Sequence, residues 1–92
     1  MSKPTAPSIV PSDRLLDCFP ARRRQMIGSI FANQNDKKAT PRKVVERVRA
    51  SLAWRAAHAL ADHEGDTYMA MIGILDANQD AAIEFAAYVL GG

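Results

Sequence analysis

Thr40 to Asp62 reads TPRKVVERVRASLAWRAAHALAD, and the reading of this stretch decides the fold. Thr40-Pro41 is a helix start. A threonine hydroxyl accepts from an otherwise unpaired first-turn amide, and proline at the first helical position lacks the N–H that would have no partner. From Pro41 the spacing predicts a long helix to about Asp62. Val45, Val48, Leu52, Ala56 and Ala59 share one face, with Val44 and Leu60 at its edges. Ala50, Trp54, Ala57 and Ala61 form a second face roughly opposite. A helix apolar on two sides is either sandwiched between neighbours or leaves one side for a partner. Trp54 carries that choice. Buried, it is core; exposed beside Lys43, Arg47 and Ala57, it is an interface anchor, because Trp and Arg dominate binding hot spots.

Upstream, Pro4, Pro7 and Pro11 prevent a helix, so residues 1–11 read as a flexible N-terminal arm before a single helical domain over 12–92. Ser12 caps a short helix through Cys18. Pro20 suits the first turn of a second helix to about Ala32, whose Met26, Ile27, Ile30 and Phe31 share a face. Asn33 to Ala39 is a polar loop. Downstream, Gly65 punctuates, Asp66 or Thr67 caps a fourth helix to about Asp76, and Asn78 caps a fifth that ends at Gly91-Gly92. Both are apolar around most of their circumference and read as a mostly buried hairpin. The fold class is therefore all-α: a small bundle of four to five helices around one long central helix.

Charge is divided along the chain. All twelve Lys and Arg lie at or before Arg55, against Asp13, Asp17, Asp36 and Glu46, a balance of +8. Residues 56–92 carry Asp62, Glu64, Asp66, Asp76, Asp80 and Glu84 unopposed, a balance of −6, so the net +2 hides a polarised molecule. A one-signed surface attracts and orients an oppositely charged one. The candidate binding residues are Arg22, Arg23, Arg24, Lys37, Lys38, Arg42, Lys43 and Arg47, together with Trp54. If the helices on either side of the loop pack antiparallel, these cations and Arg49 can form one field, with Arg23 running along the core edge. Three readings of that field stay open: a solvated face paired with Glu46, Asp36 or the acidic hairpin; direct contact with nucleic acid; and an acidic protein or nucleoprotein partner.

Several chemistries are excluded or weak. Cys18 is the sole cysteine, so no internal disulfide, Cys-based zinc site or redox pair can form, and its usual fate is burial as a small hydrophobe. His58 and His63 are five apart, the wrong spacing for a metal pair on a helix, and read as surface residues. Asp76-Ala77-Asn78-Gln79-Asp80 resembles the opening of a calcium loop, but Ala81 replaces the glycine and Ala87 the bidentate glutamate, so a helix cap explains it better. The pair of helices meeting near Gly65 has a turn fitting a helix-turn-helix, but its second helix would open without a cation. No catalytic constellation, cofactor site or metal site is expected, nor a secretory signal or membrane span.

In size, absence of catalytic residues and one-sided charge, the chain is similar to small phage-encoded inhibitors of the anti-CRISPR kind, which occupy a surveillance complex. That resemblance implies a non-enzymatic viral protein in the host cytoplasm, docking its basic helix-loop-helix onto a protein or ribonucleoprotein complex. The alternative is a small DNA- or RNA-binding regulator, dimeric through the C-terminal hairpin.

Overall fold

The computed structural model describes residues 11–34, 36 and 38–91, with side chains described from Arg14 onward. The arm expected over residues 1–11 falls, but for Pro11, outside them. The described residues form five helices and no strand: α1 (Pro11–Leu16), α2 (Ala21–Ala32), α3 (Pro41–Ala57), α4 (Asp62–Ala77) and α5 (Gln79–Val89). The chain is all-α. No helix among the described residues is long and apolar enough to cross a membrane.

α3 is the central element and packs on α2, α4 and α5; α1 lies against α5 and α2. Its start follows the cap chemistry: Thr40 has extended backbone and its Oγ1 accepts from the Lys43 amide at 3.2 Å, with Pro41 in the first turn. One side of α3 is closed off. Val44, Val45, Val48 and Leu52 are buried against Ile27, Ile30 and Phe31 of α2, Met71, Ile72 and Leu75 of α4, and Ala81, Ala82, Phe85 and Ala86 of α5. Leu15 of α1 and Phe19 in the turn after it complete the core. Phe31 and Phe85 meet edge to face with centroids 4.8 Å apart, a geometry worth about 0.5–1.5 kcal/mol beyond area burial.

The other face of α3 is not sandwiched. Ala50 and Ala57 are exposed, Ala61 is half-buried, and Trp54 is 63% exposed. The alanines there serve the helix itself, being the strongest helix formers, and need no burial. Trp54 is the outlier of that face.

Several boundaries differ from the sequence reading. α1 runs from Pro11, which suits a first helical position, to Leu16 rather than from a Ser12 cap through Cys18, and the break between α3 and α4 moves. α3 stops at Ala57 rather than near Asp62, and α4 begins at Asp62, ahead of Gly65. His58 ends α3: its amide donates to the Trp54 carbonyl at 3.0 Å, the Ala59 amide after it to the Ala56 carbonyl at 3.4 Å, and its Nδ1 sits 2.9 Å from the Trp54 carbonyl oxygen. Asp62 and Glu64 then fall in the first turn of α4, where the positive end of the helix dipole favours carboxylates. Thr67 is no cap; inside α4 its hydroxyl donates to the His63 carbonyl at 2.8 Å. The C-terminal hairpin also buries less than expected. α4 packs mainly on α3, and α5 on α1 and α3, which leaves Met69 and Tyr88 more than half exposed. Asn78 joins the two helices as the C-cap of α4 and the N-cap of α5: its carbonyl accepts from the Ala82 amide at 2.9 Å, while its side chain, instead of capping α5, donates from Nδ2 to the Ile74 carbonyl at 2.8 Å. Gly91, at a φ of 92°, takes the left-handed conformation that ends α5.

Gly65 is thus helix interior, and a Cβ there would meet the Ala56 carbonyl oxygen at 3.5 Å, ordinary contact. Gly65→Ala is expected to stabilise the fold by about 0.5–1 kcal/mol, raising Tm by roughly 3–6 °C. A lower Tm in thermal denaturation would mean that the position needs glycine's turn geometry after all.

Candidate binding surface

The cations of the leading half divide by what they touch. Four are held by acids: Arg14 by Glu84 at 3.0 Å, Lys43 by Glu46 at 3.4 Å, Arg47 by Asp36 at 3.2 Å and Arg49 by Asp76 at 2.9 Å. The Arg49–Asp76 pair is two-pronged, with the guanidinium Nη2 also donating at 3.1 Å. Arg14–Glu84 and Arg49–Asp76 join the basic half of the chain to the acidic half, α1 to α5 and α3 to α4. Pairing with Asp36, Glu46 and the hairpin acids, a reading the sequence left open, accounts for this part of the field.

Arg22, Arg23, Arg24, Lys38, Arg42 and Arg55 have no ion-pair partner among the described residues. Lys37 lies outside those residues. The free cations form two groups, because α2 has twelve residues and is about 18 Å long. Lys38 and Arg42 follow its C-terminal end. Arg22, Arg23 and Arg24 open it, and Arg24 turns its Nε onto the Phe19 carbonyl at 3.2 Å, satisfying the turn between α1 and α2.

The N-terminal end of α2 lies beside the α3–α4 corner. There, three adjoining clefts form a strip. The first, about 260 Å³, is lined by Trp54, Arg55, His58, Leu60, Glu64 and Tyr68. The second, about 210 Å³, shares Glu64 and Tyr68 and adds Arg23, Met26, His63 and Thr67. The third, about 180 Å³, shares Arg23 and Thr67 and adds Arg22. Trp54 and His58 stack with ring centroids 4.2 Å apart and planes 20° from parallel. Leu60 at the corner is fully exposed. On the other flank of α4 lies a groove of about 600 Å³ lined by Ala53, Ala56, Ala59 and Gly65 and by Asp62, Asp66 and Met69.

Sequence reasoning named Arg22, Arg23 and Trp54 but missed Arg55, His58 and Tyr68 as their neighbours. The adjacency arises from the break at residues 58–61, which folds α4 back across the end of α3. The acidic residues opening α4 were the available signal for that break.

The remaining motifs resolve simply. Cys18 is exposed rather than buried, since α1 ends at Leu16 and Leu15 and Phe19 occupy the interior; its thiol donates to the Arg14 carbonyl at 3.2 Å. The calcium-like segment spans the α4–α5 junction, and its first carboxylate, Asp76, is taken by Arg49. No group of three or more His, Cys, Asp or Glu among the described residues could hold a metal ion.

Asp36 fixes the α2–α3 loop. Its carboxyl is held below its ordinary value first by the Lys38 amide, which donates at 3.0 Å, and next by the Arg47 guanidinium. A lowered folded-state value favours the closed loop above the unfolded carboxyl's titration, and that contribution is lost as pH falls through the folded value. In a carboxyl NMR titration, Asp36 is expected to titrate below its value in the urea-unfolded chain, and Arg47→Ala to move it only part of the way back. An Asp36 that titrates identically in both states would contradict this account.

Comparison with protein-family models, with curated proteins and with solved structures found no match.

Proposed function

We propose that this chain is a non-enzymatic binding protein, of the phage-encoded inhibitor type, that docks onto a protein or ribonucleoprotein complex such as a CRISPR surveillance complex. The observation that carries this reading is the exposed Trp54 on a helix whose opposite face is fully packed, with Arg55 at its side and Arg22 and Arg23 in the adjoining clefts. A tryptophan left 63% exposed forfeits part of the burial energy its large ring could supply in the fold, and Trp with Arg is the composition of interface hot spots. The free cations at both ends of α2 supply orientation. Guanidinium and ammonium groups without internal partners attract an acidic surface over roughly a Debye length, about 8 Å at physiological salt.

Affinity purification from the native host, with and without nuclease, is expected to recover a defined complex with the wild-type chain. Charge reversal at Arg22, Lys38 and Arg42 together breaks no ion pair among the described residues, so circular dichroism should be unchanged while recovery of the complex falls about tenfold. Equal recovery by the reversed variant would remove the basic surface from the docking site. Loss of the complex only in the nuclease arm would identify nucleic acid as part of what is held.

A further inference from the structure

We infer that the strip running from Trp54 across Tyr68 to Arg22 is a stacking site for single-stranded nucleic acid. The inference rests on the docking reading, because a nucleoprotein partner is what presents a single strand. Three observations carry it. First, the strip sets rings beside guanidiniums: the exposed Trp54 stacked on His58 with Arg55, then the edge of Tyr68, half-buried against the core, with Arg23, and Arg22 beyond them. A nucleotide chain delivers a planar base and a phosphate at each step, and aromatic faces with cationic flanks are how sequence-tolerant single-strand sites hold it. Second, the Trp54–His58 stack is exposed and extends naturally by another flat ring on its outer face. Third, the clefts of about 260, 210 and 180 Å³ follow one another along the corner, the first two sharing Glu64 and Tyr68 and the last two Arg23 and Thr67, a succession that suits an extended strand. Glu64 is the sole acid lining the strip, so the three guanidiniums outweigh it. Asp62 and Asp66 face the opposite flank of α4.

Trp54 is the only tryptophan, so its fluorescence reports the stack directly. Titration with unlabelled oligo-dT or oligo-U at low salt is expected to quench it. With three phosphates neutralised, the logarithm of the binding constant should fall with the logarithm of salt concentration at a slope of about −2, and Arg23→Gln or Arg55→Gln should each flatten it by about 0.7. Trp54→Ala, read by anisotropy of a labelled oligonucleotide with circular dichroism as the folding control, should weaken binding roughly 5- to 150-fold. Unchanged fluorescence overturns the inference. So does duplex DNA of the same length binding equally well without quenching, or polyglutamate quenching as strongly, the latter assigning the strip to acidic protein. The two readings fail separately: a complex that survives nuclease treatment alongside an oligonucleotide-blind Trp54 leaves docking standing and removes the stacking site.

Discussion

The burial of one side of α3 is the constraint on which the rest of the molecule depends. Val44, Val48 and Leu52 are completely inaccessible, and Val45 nearly so. Each buried aliphatic side chain contributes about 1.5–3 kcal/mol. Because that face meets α2, α4 and α5 together, α3 sets the relative positions of helices that hardly touch one another, such as α2 and α5. The Phe31–Phe85 contact closes the space between those two beside α3. A 92-residue chain has a thin core, and this one concentrates its burial around a single helix instead of distributing it over several layers. The opposite face of α3 is thereby left out of the core.

Charge follows the same division. The cations that face other helices meet acids from the trailing half, so Arg14 ties α1 to α5 and Arg49 ties α3 to α4. Pairs as exposed as these contribute little stability. Their effect is on the surface potential: they remove two trailing acids and two leading cations from the outward field. What remains basic is the two ends of α2 and the last turn of α3. The polarity legible along the sequence therefore reaches the surface in a reduced and relocated form, concentrated where α2 begins and α3 ends.

The parts of the fold that were legible rest on local chemistry. Thr40-Pro41 signals a helix start wherever it occurs, because the hydroxyl, the amide and the proline ring lie within four residues. The core face of α3 was legible because valines and leucine recur at the helical period. The α3–α4 break was not, since His-Ala-Leu-Ala at 58–61 contains no Gly or Pro, and the glycine nearby lies inside the next helix. His58 closes α3 by reaching back to the Trp54 carbonyl, an interaction that spacing alone does not predict. The apparent second apolar face was ambiguous for a different reason: alanine scores as hydrophobic yet is present as a helix former, so only Trp54 separated a buried face from an open one. The clefts joining Arg22, Arg23, Arg55 and Tyr68 unite residues from three helices and exist only once α4 has turned.

That turn also explains why the proposed binding strip lies at this corner and not along the middle of α3. Mid-helix, the outer face carries Ala50 and the ion-paired Lys43, Glu46 and Arg47, and no second helix crosses it. At the C-terminal end, the chain reverses, and α4 brings His63, Glu64, Thr67 and Tyr68 up beside Trp54 and Arg55 while the start of α2 closes the far side. Side chains from three elements can then converge on a strand-sized strip without any of them entering the core. Substitutions at these exposed side chains leave the core untouched, whereas substitutions on the valine face open it. The packed side and the open side thus lie on opposite flanks of one helix, and the break after Ala57 is what gives the open side a shaped surface.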